Sequence, residues 1–306
     1  MSDRKANLEA ALAHVDAHIG ESLERLKRLV AIKSISTDPA YAAECRRAAD
    51  WLVTDLETLG FEASARPTPG HPIVVGHQKG DSAPRVLFYG HYDVQPVDPL
   101  ELWHTDPFEM TVKDVNGQKQ LFGRGTSDDK GQVLTFIEAC RAYKAATGSL
   151  PVGVSVLIEG EEESGGKNLP GFISSTADEL KADIALVCDT DMWDAATPSI
   201  TTMLRGLVGE EIEITCANKD LHSGMYGNAA RNPIQVLGEI IASLRRFDGG
   251  VALPGFYDGV SEVPPEVAEG WASLGFDTAE FLGEIGLRLP AGEQGDACGI
   301  VVAGLD

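Results

Sequence analysis

The sequence predicts an α/β fold in which helices cover both faces of a mostly parallel sheet. Four short apolar runs, several of them β-branched and flanked by Gly or Pro, predict buried strands over residues 73–75, 86–89, 152–158 and 184–187. A helical stretch over residues 131–146 separates the second run from the third. Strands that alternate with helices are typical of parallel sheets buried on both sides.

Two helices are predicted before the first strand. Apolar residues recur every three or four positions near the start of the chain, which is the pattern of an amphipathic helix packed on a core. They are Leu8, Leu12, Val15, Ile19, Leu23, Leu26 and Val30. A second helix is predicted over residues 41–59, ending at Gly60, after a loop over residues 34–39.

The character of the sequence changes near residue 206, so we predict two domains, residues 1–205 and 206–306. Residues 208–215 alternate only roughly between apolar and polar side chains, which favours a half-exposed strand. A helix is predicted over residues 233–246, with Pro233 in its first turn. The stretch from residue 249 onward is rich in Gly and Pro and has weaker periodicity.

The charge and the cysteines exclude several classes of protein. The 306 residues include 25 basic and 47 acidic side chains, a net charge of −22, which disfavours binding to nucleic acid or to anionic membranes. No apolar stretch approaches the ~18–20 residues of a membrane span. The 5 cysteines are scattered and odd in number, which favours reduced thiols. We expect a cytoplasmic protein.

Metal-ligating side chains follow three of the predicted strands. His91 and Asp93 follow the second strand, Glu161, Glu162 and Glu163 follow the third, and Asp189 and Asp191 follow the fourth. In open α/β sheets, ligands bind beyond the carboxyl ends of the strands. The sequence therefore predicts a site where these three strands end.

Imidazole and carboxylate groups suit zinc where thiolates are absent. His91 is the obvious imidazole ligand, and Asp93 could orient it by accepting its second N–H. A dinuclear site needs about five ligand side chains, including a carboxylate that bridges the two metals.

Each of the other candidate side chains also has an ordinary structural interpretation. Asp128 and Asp129 precede the predicted helix over residues 131–146 and could simply cap it. The glutamate run over residues 161–163 could face water, and Asp189 could be an ordinary loop acid. His222 could be an exposed loop histidine.

Several motifs in order resemble those of carnosinase-like dipeptidases, which belong to the superfamily of aminoacylases and succinyl-diaminopimelate desuccinylases. The motifs cover residues 90–96, 103–108, 123–131, 159–165, 189, 204–206 and 220–224. The resemblance extends to about residue 292. It implies a zinc-exopeptidase-like α/β domain and an inserted, smaller α+β lid domain through which two copies form a homodimer.

The resemblance also implies a set of zinc ligands. His91 and Asp189 would hold one zinc, Asp128 would bridge the two metals, and Glu163 would hold the second zinc. Mn²⁺ or Co²⁺ would also suit these nitrogen and oxygen ligands.

The implied reaction is hydrolysis of the amide bond of dipeptides or short peptides by a metal-bridged water. Glu162 would be the general base, because Ser164 and Gly165 set the register of the three glutamates. Asp93 would orient the metal-binding imidazole, and His222 would stabilise the oxyanion in the neighbouring subunit's site.

The chain departs from the family pattern in one respect. The family supplies a further histidine ligand well beyond the lid domain, whereas no histidine follows His222 here. We therefore expect a C-terminally truncated or incompletely represented member of an active family. The alternatives are a deacylase or desuccinylase acting on N-acyl amino acids, and a catalytically impaired remnant.

Overall fold

The computed structural model describes residues 2–80, 83–201, 204, 206–261 and 263–289. It divides into two units, Met1–Asp191 and Met192–Asp306. The predicted domain boundary near residue 206 stays a prediction.

Seven strands, eight α-helices and three short 3₁₀ helices make up the described structure. The strands are β1 (Glu62–Arg66), β2 (Ile73–Gln78), β3 (Arg85–His91), β4 (Thr111–Val115), β5 (Gln118–Phe122), β6 (Gly153–Glu159) and β7 (Ile184–Val187). The helices are α1 (Ser2–Val30), α2 (Ala42–Thr58), α3 (Lys130–Thr147), α4 (Leu169–Leu180), α5 (Ser223–Tyr226), α6 (Pro233–Ser243), α7 (Pro265–Ala272) and α8 (Thr278–Glu284).

The main sheet has five strands in the order β1-β2-β6-β3-β7. β3 runs parallel to both β6 and β7. β2 runs antiparallel to β1 and to β6, so it alone opposes the common direction of the other four strands. All four predicted strands are present, and the prediction of a mostly parallel sheet is confirmed.

Helices cover both faces of this sheet, as predicted. Along β6, the side chains of Val154, Val156 and Ile158 join a core with α1, α2 and α3. Leu157 points to the other face, where it packs with Leu180 of α4. This alternation follows from the two-residue period of a strand, and it explains why β6 is apolar almost throughout.

The apolar stripe of α1 is only partly buried, so the prediction of a helix packed on a core throughout is wrong for its first half. Leu26 and Val30 are buried. In contrast, Leu8, Leu12 and Ile19 are each more than half exposed. Near its C-terminal end α1 is joined to its neighbour α3 by Arg25, which binds Glu138 at 2.7 Å.

Two predictions about strands are also corrected. The run over residues 184–187 forms β7, but all four of its residues are exposed, because β7 is the edge strand in the part of the chain described. The strand predicted over residues 208–215 does not form. Val208 is 84% exposed there, and a strand needs a hydrogen-bonded neighbour, which this segment lacks among the described residues.

Candidate metal centre

The candidate centre lies where three neighbouring strands end. β3 lies between β6 and β7, and its last residue, His91, pairs with Glu159 at the end of β6. Tyr89 pairs with Val187, the last residue of β7, so Asp189 follows on the same edge. The parallel direction of these strands therefore brings residues from distant parts of the sequence to one edge.

Three of the predicted ligands come together at this edge. The Nε2 atom of His91 lies 3.0 Å from Oδ1 of Asp128 and 3.6 Å from Oδ2 of Asp189. One donor atom from each of these three residues lies within 4.8 Å of the other two. An imidazole nitrogen with two carboxylate oxygens is a donor set that suits zinc and other divalent metals.

Asp93 holds the other side of the imidazole. His91 is fully buried, and its Nδ1 lies 3.3 Å from Oδ1 of Asp93 and 3.1 Å from the Asp93 backbone oxygen. Both of these partners accept a hydrogen bond, so they favour a proton on Nδ1 and leave Nε2 facing the two other ligands.

The same Asp93 carboxylate anchors the turn that follows β6. Its Oδ1 accepts a hydrogen bond from the backbone N–H of Glu162 at 3.3 Å, and its Oδ2 accepts one from Glu163 at 3.1 Å. Asp93 is fully buried, so these bonds satisfy a charge that would otherwise be costly. One side chain therefore fixes both the imidazole and the two glutamates.

The glutamates themselves stand beside the three-residue group without joining it. Glu163 Oε2 accepts a hydrogen bond from the side-chain amide of Gln95. The carboxylate of Glu161 points elsewhere, since it accepts a hydrogen bond from Asn168 at 2.7 Å. The structure thus gives Glu161 a different partner from Glu162 and Glu163, whose backbone N–H groups bind Asp93. The register assigned to the three glutamates stays a prediction.

The electrostatics of the site favour a bound cation. Burial raises the pKa of Glu162, Glu163 and Asp189, and repulsion from neighbouring carboxylates adds to this in each case. Burial lowers the pKa of His91, but the hydrogen bond and the charge of Asp93, together with the other acids, outweigh it and raise the pKa to about 10. A divalent metal would relieve this crowding of acidic groups.

Asp129 is a residue of this site that the sequence reasoning missed. It occupies the N-cap position of α3, yet its side chain does not cap the helix. Its Oδ2 instead accepts a hydrogen bond from the backbone N–H of His91 at 2.9 Å, and its Oδ1 is buried without a partner. Burial raises the pKa of Asp129 to about 7. The only sequence signal was the Asp-Asp pair itself.

Lys130 was missed as well. Its amine is fully buried and donates hydrogen bonds to the backbone oxygens of Leu29 at 3.2 Å and Ile32 at 2.6 Å. Burial lowers the pKa of this amine to about 7. These bonds tie the first residue of α3, and with it the loop of Asp128, to the end of α1.

His222 lies in the unit Met192–Asp306, at the N-terminal end of the short helix α5. Its ring is exposed, and its Nδ1 accepts a hydrogen bond from the backbone N–H of Gly224 at 3.0 Å. The role of His222 stays a prediction.

Comparison with known protein families matches residues 87–281 to the family described as Peptidase family M20/M25/M40. The match covers most of the chain and contains every predicted ligand. This chain belongs to that family.

Dipeptidases are among its relatives. A Cys-Gly metallodipeptidase of Schizosaccharomyces pombe is 32% identical over 274 residues, which cover 85% of this chain and 57% of the relative. The Beta-Ala-His dipeptidase of Homo sapiens is 31% identical over 292 residues, which cover 90% of this chain and 57% of the relative. The chain therefore spans little more than half the length of these curated relatives.

Solved structures agree with the fold. An M20 family metallo-carboxypeptidase from Sulfolobus solfataricus is 30% identical, with a TM-score of 0.77 over 93% of this chain and 63% of that structure. Human carnosine dipeptidase 1 is 30% identical, with a TM-score of 0.71 over 92% of this chain and 62% of that structure. The predicted fold class and the predicted kinship with carnosinase-like dipeptidases are confirmed.

Among the described residues, no helix has the length and apolarity to cross a membrane.

Proposed function

We propose that this protein is a zinc-dependent dipeptidase that hydrolyses the amide bond of dipeptides or short peptides. The observation that carries the proposal is the convergence of His91, Asp128 and Asp189 at the carboxyl edge of the sheet. The dipeptidases among the relatives support the substrate class.

In this proposal His91 and Asp189 would hold one metal ion, Glu163 would hold a second, and Asp128 would be a ligand of both. The donor set fits, because it offers one imidazole and several carboxylates, as hard and borderline divalent metals require. A bound zinc would polarise the scissile carbonyl and make water more acidic. Mn²⁺ or Co²⁺ would fit the same donors.

Glu162 is the proposed general base. It takes a proton from the attacking water on its carboxylate and passes that proton to the leaving amine. Burial and the neighbouring acids raise the pKa of Glu162, which favours proton transfer at neutral pH. Asp93 keeps Glu162 in place through the backbone N–H, while it orients the imidazole of His91.

His222 is the proposed group that donates a hydrogen bond to the oxyanion, entering the site of a second copy. We propose accordingly that the chain forms a homodimer through residues 206–306. Exposed apolar side chains in this region support that proposal, among them Leu207 at 95% and Ile234 at 78% exposure. Sedimentation of the parent protein and of the Ile234→Asp variant tests the proposal. We expect a dimeric parent and a more weakly associated variant. A monomeric parent would contradict the proposal.

A cytoplasmic location is proposed from the thiols. The described cysteines, Cys45, Cys140, Cys188 and Cys216, are all free. Burial raises the pKa of Cys45 and Cys140 to about 12, so these thiols resist oxidation.

A substrate panel tests the proposed function. The zinc-loaded protein is incubated with dipeptides and, in parallel, with N-acyl amino acids, and the released amine is measured. We expect turnover of dipeptides. Turnover of N-acyl amino acids alone would identify a deacylase. No turnover together with less than one zinc per chain would identify a non-catalytic protein.

A further inference from the structure

Two histidines lie one turn apart on α1, a helix that contributes no residue to the candidate metal centre. His14 and His18 have stacked rings, with centroids 3.9 Å apart and planes 19° from parallel. Residues four positions apart share one face of a helix, so the long helix Ser2–Val30 holds both rings side by side.

The backbone fixes which nitrogen of His18 carries the proton. Its Nδ1 lies 2.8 Å from the backbone oxygen of His14. A carbonyl oxygen only accepts hydrogen bonds, so Nδ1 donates and Nε2 is the nitrogen available to a metal. A backbone carbonyl on one ring nitrogen is the arrangement that orients metal-binding imidazoles. Both side chains are half-buried, so the pair is held by the helix and still reaches solvent.

We propose that His14 and His18 form a second metal site, which binds one late first-row divalent cation such as Ni²⁺, Cu²⁺ or Zn²⁺. Imidazole suits these metals, and their affinity for nitrogen ligands follows the Irving–Williams order. Among the described residues no third protein donor joins the pair, so water completes the coordination. The net charge of −22 attracts cations to the surface as a whole.

A cation at this site would link two successive turns in the half of α1 whose large apolar side chains are mostly exposed. Leu12 and Ile19 in this half are more than half exposed, so few tertiary contacts stabilise it. Because binding stabilises the form that binds, the cation would favour the helical state of this segment.

Titration of the metal-free protein with Ni²⁺ tests the proposal by calorimetry. Ni²⁺ is preferred as the probe, because Cu²⁺ oxidises thiols and the free thiols of Cys188 and Cys216 are partly exposed. We expect the parent to bind one more Ni²⁺ per chain than His14→Gln or His18→Gln. Loss of either imidazole should lower the affinity for Ni²⁺ by more than about tenfold. Loss of a group that only hydrogen-bonds to a metal ligand already lowers metal affinity by about that much.

A matched control keeps the number of histidines and changes only their spacing. In the double variant Gly20→His with His18→Gln, the rings stand six positions apart, with a rise of about 9 Å between them. A Cβ atom at Gly20 has nothing within 4 Å, so the new side chain fits. We expect this variant to bind Ni²⁺ as weakly as His18→Gln.

His104→Gln removes an exposed histidine elsewhere and should leave the titration unchanged. Far-UV circular dichroism of each variant without metal checks that α1 is intact. The proposal is overturned if His18→Gln binds Ni²⁺ like the parent, or if the respaced variant regains the parent's affinity.

Discussion

Nε2 of His91 lies 3.0 Å from Oδ1 of Asp128, although 37 positions separate the two residues in the sequence. β3 brings the imidazole to the sheet edge, and the loop before α3 brings the carboxylate. Asp93 holds the opposite nitrogen of the ring, so the pair has a defined orientation.

Glu162→Gln should abolish turnover while leaving metal binding intact. The amide has nearly the size of the carboxylate but cannot accept a proton, so we expect kcat to fall about 100-fold or more. Steady-state kinetics on a dipeptide and zinc analysis of the same sample provide the two measurements. Activity close to that of the parent would remove Glu162 as the base.

Glu161→Gln is the matched control for this experiment. Glu161 is the adjacent member of the same glutamate run, but its carboxylate binds Asn168 and not the candidate centre. We expect turnover close to that of the parent. A larger loss here than in Glu162→Gln would mean that the register assigned to the three glutamates is wrong.

Asp93→Ala should weaken metal binding without any direct contact to the metal. The change removes the carboxylate that accepts hydrogen bonds from the His91 imidazole and from the backbone N–H groups of Glu162 and Glu163, and leaves only the Asp93 backbone oxygen on the imidazole. Loss of such a partner lowers metal affinity about 10–100-fold. Competition with a chromophoric chelator measures the affinity. The exposed Asp98→Ala serves as control, and equal affinities in both variants would contradict the prediction.

Phe88→Ala should destabilise the first unit strongly. Phe88 is fully buried on β3 and stacks on Phe136 of α3, with ring centroids 4.1 Å apart. The cavity left by such a Phe→Ala substitution lowers the free energy of unfolding by about 3–5 kcal/mol. Urea unfolding monitored by circular dichroism measures the free energy of unfolding. Leu102→Ala, at a residue 72% exposed, should change it by less than about 0.5 kcal/mol.

The ion pair of Glu179 should make stability depend on pH in the acid range. Hydrogen bonds from Arg66 and His77 lower the pKa of Glu179 from 4.5 to about 2, and the bond from Arg66 contributes the most. A pKa lowered in the folded state gives stability that is present above pH 4.5 and is lost as the pH falls toward 2. The carboxylate is 36% exposed, so solvent screening keeps the effect modest.

We therefore expect Glu179→Gln to be less stable than the parent near neutral pH, with a difference that shrinks as the pH falls from 4.5 toward 2. Thermal unfolding at a series of pH values measures this. Asp178→Asn, at the exposed neighbouring acid, should follow the parent throughout. A difference that grows on acidification would contradict the assignment.

Much of the sheet could be predicted because β3 and β6 are apolar runs with clear ends. The hairpin β4–β5 was missed, although Asn116 and Gly117 form its turn with positive φ angles of 55° and 83°, which is the signature of an Asn-Gly hairpin. The exposure of β7 and of the first half of α1 could not be predicted, because periodicity shows which face is apolar but not what covers it.

The convergence of His91 and Asp189 at one sheet edge could be predicted from their positions at the ends of strands. The second role of Asp93, which is to anchor the turn after β6, could not be predicted. A hydrogen bond to the backbone N–H of Glu163 does not depend on which residue stands at position 163. The same holds for the bond from the His91 backbone to Asp129, which depends on a loop conformation that no local pattern determines.

Anomalous scattering from a crystal grown with zinc tests the central claim most directly. We expect a peak at the zinc edge about 2.0–2.2 Å from Nε2 of His91 and from carboxylate oxygens of Asp128 and Asp189. The peak should disappear in His91→Ala. A fully zinc-saturated crystal without a peak beside these three residues would contradict the assignment of this sheet edge as the metal centre.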